Sequence, residues 1–148
     1  MVRSASRSPL GQAMLPLRRY AEFGGRSSRQ EYWLFTLLCL VVAILYIIGF
    51  DLIGLLSPST TQGTGLLLGR ILLVVGIVGG LALVVPAVAL HARRFHDQDK
   101  TAWLILLTFI PGIGPILLLV FMAIAGTRGA NRYGPDPRGG ETVQAARA

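Results

Sequence analysis

Polar residues are unevenly spread along this chain, and three long, predominantly apolar stretches contain no Asp, Glu, Lys or Arg: residues 32–50, 71–90 and 101–127. Each reaches the ~18 residues with which a helix spans a hydrocarbon core of about 30 Å. A soluble helix that is apolar on every side needs a much larger protein to enclose it. The pattern predicts an all-α, polytopic membrane protein with three hydrophobic helical segments, at about 29–55, 66–90 and 102–125. Residues 15–137 read as a single membrane domain between disordered tails at 1–14 and 138–148. Residues 15–23, which mix Leu15, Leu17, Tyr20 and Phe23 with Arg18, Arg19 and Glu22, suit the headgroup level.

Local signals refine these elements. Ser28 and Glu31 have the spacing of a capping box ahead of the first segment, and Tyr32 and Trp33 stand where an aromatic belt belongs. From Trp33 to Asp51 is about 27 Å of helix, so Asp51 should reach the far interface, level with Arg70 and able to pair with it. Residues 56–65, rich in Ser, Thr, Pro and Gly, read as a loop. Gly65, Gly69, Gly76 and Gly80 give the second segment two small-xxx-small spacings. These let helices pack closely, inside one chain or in a homo-oligomer. Residues 91–100 read as a polar loop in which Asp97 or Asp99 caps the next helix. The third segment is broken at Pro111-Gly112-Ile113-Gly114-Pro115, which no regular helix tolerates. At membrane depth such a break must be buried in protein or line a wet cavity.

Charge then sets the orientation. Only 14% of residues are charged, but the net charge is +7. Basic residues precede the first segment (Arg3, Arg7, Arg18, Arg19, Arg26, Arg29), follow the second (Arg93, Arg94, Lys100) and occupy the tail (Arg128, Arg132, Arg138, Arg147). The positive-inside rule places the N-terminus and the second connection in the cytoplasm. Three full crossings would strand the basic tail outside, whereas a third segment that turns back at its break would return the tail to the cytoplasm. Both arrangements remain open from sequence. Basic flanks of apolar segments fit anionic lipid headgroups, not nucleic acid. Cys39 is the sole cysteine, so no intrachain disulfide forms. The first twenty residues lack the apolar core of a signal peptide.

Three motifs in order carry a family resemblance. Phe23-Gly24-Gly25-Arg26-Ser27-Ser28-Arg29-Gln30-Glu31-Tyr32-Trp33 is one, and Arg93-Arg94-Phe95-His96-Asp97 followed by Trp103 is the second. Pro111–Gly114 and Gly126-Thr127 through Asn131-Arg132-Tyr133-Gly134-Pro135-Asp136-Pro137 form the third. From about Leu17 to Pro137 the chain resembles the small bacterial inner-membrane proteins known as domain of unknown function 805. In that family Leu is usual at the position of Phe95, two Trp commonly follow the His-Asp pair, and Pro is frequent at that of Ala125. The resemblance implies a bacterial cytoplasmic-membrane location and brings no activity with it.

His96 and Asp97, with His91 and Asp99 near them, form the best chemical constellation. Five residues separate the two histidines, which puts them on different helix faces and argues against metal. A loop in which Asp caps a helix and His bonds to backbone explains them without chemistry. No catalytic residue, metal site or cofactor is expected. Arg26, Arg29, Arg93, Arg94, His96, Asp97, Lys100, Asn131 and Arg132 are the candidate lipid- or partner-binding residues on a cytoplasmic face. The reading is a non-catalytic module that binds lipid or protein. The alternative is a subunit of an oligomeric transporter or channel, suggested by the broken third segment.

Overall fold

A computed structural model describes residues 8–56 and 64–138. Helices α1 (Pro9–Ala13) and α2 (Leu15–Arg18) precede two long helices, α3 (Arg29–Leu56) and α4 (Thr64–Asp97). A 3-10 helix (Ala102–Phe109) and α5 (Gly114–Ala123) complete the set. Among the described residues the only strand-like pairing is an isolated bridge between Asn131 and Gly134. Helices α3 and α4 are long and apolar enough to cross a membrane. Their apolar side chains lie open, with Leu45 64% and Leu81 65% exposed; such exposure suits lipid and not water. The expected loop at 56–65 and tails at 1–14 and 138–148 fall largely outside the described residues, although Pro9–Ala13, capped by Ser8, is helical.

Helix α4 runs on through residues 91–97, which had read as a polar loop. Ala89, Ala92 and Phe95 are buried and continue one apolar stripe at three-residue spacing, and no Gly or Pro interrupts it. The helix closes in a Schellman motif: Lys100 N–H donates to the Phe95 carbonyl and Asp99 N–H to that of His96, each at 3.0 Å. Asp99 takes the left-handed position with φ 57°, which Asp tolerates better than most residues. Neither Asp97 nor Asp99 caps the next helix. Thr101 does, its hydroxyl accepting from Trp103 N–H at 3.3 Å.

The third apolar segment is not one rod but a hairpin. It departs from Lys100 and returns to the same place: Gln98 Nε2 donates to the Phe121 carbonyl, Lys100 Nζ lies 4.4 Å over the Phe121 ring, and Thr127 N–H donates to the Asp97 carbonyl at 2.8 Å. The arms match, about 16 Å of 3-10 helix against about 15 Å of α5. They touch where Gly114 crosses the Leu107 carbonyl so closely that a Cβ could not fit. The tip is open, with Phe109 81% and Ile113 60% exposed. Pro111 and Pro115 bring no N–H to the turn, and the donors of Ile110, Ile113, Gly114 and Leu117 are all bonded within it.

By their contacts the residues form two units, 36–84 and the remainder. Within 36–84 the Tyr46 ring packs on Gly76 and its hydroxyl donates to the Leu72 carbonyl. Gly69 and Gly80 meet nothing, and Gly65 is half-buried. Asp51 and Arg70 are both exposed and form no ion pair among the described residues, in keeping with the small gain such surface pairs give. The other unit holds the buried core, in which Tyr32, Phe35, Leu90, Phe95 and Met122 are almost wholly covered.

Candidate functional site

The site grows from one carboxylate at the end of α4. Asp97 is 2% exposed and takes two guanidinium groups. Arg94, one turn earlier, donates to Oδ2, and Arg26 Nε donates to Oδ1 at 2.9 Å. Burying charge costs several kcal/mol per ion, so pairing alone does not suffice; the remaining donors must also be satisfied. Here backbone carbonyls accept them. Arg26 donates to the carbonyls of Thr127 at 2.7 Å and of Gly129, and Arg94 to those of Met122 and Ile124. A planar fork with five donors can serve several acceptors at once, as an ammonium cannot. Gly126 lies so tightly on the Asp97 carboxylate that an added Cβ would fall inside it.

A second buried pair flanks the first. Arg93 is fully covered, and its guanidinium stands 3.6 Å from Glu31, while Ser27 N–H donates to the Arg93 carbonyl at 3.2 Å. The expected capping box is therefore half made. Ser28 Oγ accepts from Glu31 N–H at 3.1 Å, but the Glu31 carboxylate turns to Arg93 instead of reaching back. The attraction is one of charge across 3.6 Å and not a hydrogen bond: Glu31 Oε1 and the three guanidinium nitrogens of Arg93 are buried without a hydrogen-bond partner among the described residues.

Around this centre lies a polar rim. The His96 ring stacks on Tyr133 at 3.9 Å between centroids, so it faces away from the Asp97 ion pairs and the two do not form an acid–base dyad. Asn131 Nδ2 donates to the His96 carbonyl at 2.8 Å. Arg132 pairs with Asp99 at 3.1 Å and lies over Tyr133, and Lys100 bonds Gln98 at 3.1 Å. Burial alone would raise the Asp136 carboxyl, but the N–H and guanidinium of Arg138 and the N–H of Gly129 outweigh it and hold the group below its ordinary value. Among the described residues no three His, Cys, Asp or Glu side chains gather as metal ligands.

The candidate residues thus divide. Arg26, Arg93, Arg94 and Asp97 are buried ties between segments distant in sequence, not the open cytoplasmic surface expected of the arginines; Arg29 and Arg132 are exposed, and His96, Lys100 and Asn131 are half-buried. Among the described residues Arg29 reaches only the Ala123 carbonyl, at 3.5 Å. Gly65, Gly69, Gly76 and Gly80 take no part in this cluster. A cavity of about 250 Å³ opens beside it, lined by Ser28, Arg29, Gln30, Asp97, Gly126 and Arg138. Sequence reasoning did not reach Glu31 as an ionic partner, Gly126 as a packing residue or Arg138 as a lining residue. In the sequence Gly126 stands only as part of the third family motif and Arg138 as one basic residue of the tail.

Comparison with known proteins gives one family. Residues 20–135 match the model described as "Protein of unknown function (DUF805)". The chain is 37% identical over 122 residues to inner membrane protein YhaH of Escherichia coli (strain K12), covering 82% of this chain and 92% of that protein. It is 40% identical over 125 residues to inner membrane protein YhaI of the same strain, covering 84% and 92%. No solved structure matches the chain.

Proposed function

Because the chain belongs to the DUF805 family of proteins of unknown function and, like its matched relatives, is an inner-membrane protein, we propose that it acts there as a non-catalytic module. Its arginine-tied polar face lies in the cytoplasm and binds anionic lipid. One observation carries the reading: Arg26 bonds at once to Asp97, Thr127 and Gly129. Segments before the first crossing, after the second and in the tail are tied within single hydrogen bonds, so they share one side of the bilayer. By the positive-inside rule that side is the cytoplasm. The chain then crosses twice, through α3 and α4, and its third segment dips in and returns. Arms of about 15 Å reach half of a core of about 30 Å.

The buried arginines are spent on holding this arrangement together. What remains for lipid is the set of basic residues left exposed or half-exposed, Arg29 together with Lys100, Arg128 and Arg132, each worth about 1 kcal/mol near an anionic surface. The transporter alternative rested on a helix break at the midplane. That break is the tip of a hairpin in which the N–H groups of Ile110, Ile113, Gly114 and Leu117 are bonded within the turn, so those donors are not offered to a solute.

Native mass spectrometry of the purified protein tests the reading. The protein should retain phosphatidylglycerol over phosphatidylcholine, and replacing Lys100, Arg128 and Arg132 with Gln should cut that preference by roughly fivefold per charge. A wild-type protein that holds both lipids equally contradicts the proposal.

A further inference from the structure

The cavity beside Asp97 has a charge imbalance. Arg26 and Arg94 already neutralise Asp97 in excess. Arg29 and Arg138 add two more guanidinium groups at the cavity wall, and only Asp136 answers them, pairing with Arg138 at 3.2 Å. Four cations thus stand against two carboxylates around one small space. Arg29 is exposed and has a single weak carbonyl contact. The N–H groups of Arg29 and Gln30, the first two of α3, have no partner among the described residues. These donors point outward from the positive end of a 28-residue helix.

Size and level narrow the ligand. At about 250 Å³ the cavity falls just below the ~300–1,000 Å³ usual for drug-sized molecules, so it suits a small anion and not a large cofactor. Arg29 lies about 6 Å along the helix from Trp33, the aromatic residue at the edge of the apolar run, and so sits at the depth of lipid phosphates. Spherical halide gains nothing from planar, forked donors; a tetrahedral oxyanion with several acceptor oxygens does.

We infer that the cavity lined by Ser28, Arg29, Gln30, Asp97, Gly126 and Arg138 is a binding site for a phosphate-bearing anion, with Arg29 and Arg138 as its two grips and the Asp97 carboxylate in its wall already held by Arg26 and Arg94. The inference rests on the anionic-lipid reading and deepens it by giving one headgroup phosphate a fixed seat. The same chemistry would accept free phosphate, and the experiment separates the two sources.

The full chain, purified in detergent, is titrated with phosphatidylglycerol, phosphatidylcholine and inorganic phosphate, and occupancy is read by native mass spectrometry and thermal melting. R29Q should weaken phosphatidylglycerol binding on the order of tenfold, and R29Q with R138Q further, while R29K restores most of it. Because Arg29 is exposed, R29Q alone should melt like wild type without lipid, which keeps the result interpretable if the double variant unfolds. Displacement of lipid by millimolar phosphate in wild type but not in R29Q also supports the site; stabilisation by phosphate alone, lost in R29Q, assigns it to the soluble anion. The inference is overturned if R29Q and the double variant bind phosphatidylglycerol as wild type does. If that happens while loss of Lys100, Arg128 and Arg132 still abolishes the preference, only the pocket is wrong; if wild type shows no preference, the broader reading fails with it.

Discussion

At the scale of single residues, the protein is organised by Asp97. Its carboxylate is one of few acids in a basic chain, and two buried arginines depend on it. Removing one partner from a buried pair leaves an uncompensated charge and costs about 3–5 kcal/mol, far more than the pair's net worth. Gly126 is the residue through which that dependence is most cleanly tested, because a single methyl group there displaces the carboxylate without altering any charge. We expect Gly126→Ala to destabilise the protein by about 3 kcal/mol, measured by equilibrium unfolding in mixed micelles. A loss below about 0.5 kcal/mol would mean that the carboxylate has room to move. Little of this was legible in the sequence. His96 and Asp97 look like a pair because they are neighbours, yet successive helical residues point apart. The partners that matter, Arg26 and the carbonyls of Met122, Ile124 and Thr127, lie far away along the chain, and carbonyls leave no mark in a residue pattern.

At the scale of elements, the sequence was informative wherever the cause was local. Ser28 starts α3 as its position suggested, and the Pro-Gly-Ile-Gly-Pro run does break the third segment. Where tertiary packing decides, local reading failed. Helix α4 continues through Arg93 and Arg94 on the buried stripe of Ala89, Ala92 and Phe95, with Arg94 bonded to Asp97 and Arg93 facing Glu31, whereas polar residues after an apolar run ordinarily signal a loop. That the broken segment folds back instead of kinking follows from the contacts of Phe121 with Gln98 and Lys100, which no periodicity encodes. The two Gly-x-x-x-Gly spacings also separate only in three dimensions. Gly76 is filled by Tyr46, whereas Gly69 and Gly80 face open space. Gly76→Ala should therefore cost about 1–3 kcal/mol through overpacking, while Gly80→Ala should be neutral or stabilise the helix by up to about 1 kcal/mol. Thermal melting of both variants in detergent makes the comparison. Destabilisation by Gly80→Ala, together with a fall in native mass, would instead place that glycine in contact with a second copy.

At the scale of the whole molecule, three basic segments that are distant in sequence are tied to one another through Arg26, and the proposed topology rests on that tie. Composition alone established a membrane protein, since charge-free runs this long leave backbone polar groups that only helices satisfy in lipid. It left the side of the tail open, because a kinked crossing and a hairpin contain the same residues. The topology proposed above rests on the ion-paired cluster of Arg26, Arg94 and Asp97, because residues in one hydrogen-bonded cluster belong on one side of about 30 Å of hydrocarbon. The direct measurement is cysteine accessibility at position 128, with Arg128→Cys introduced into a Cys39→Ala background and a membrane-impermeant maleimide applied to spheroplasts and to inverted vesicles. Labelling in inverted vesicles alone is the outcome expected of two crossings and a re-entrant hairpin. Labelling of intact spheroplasts would put the tail in the periplasm and contradict it.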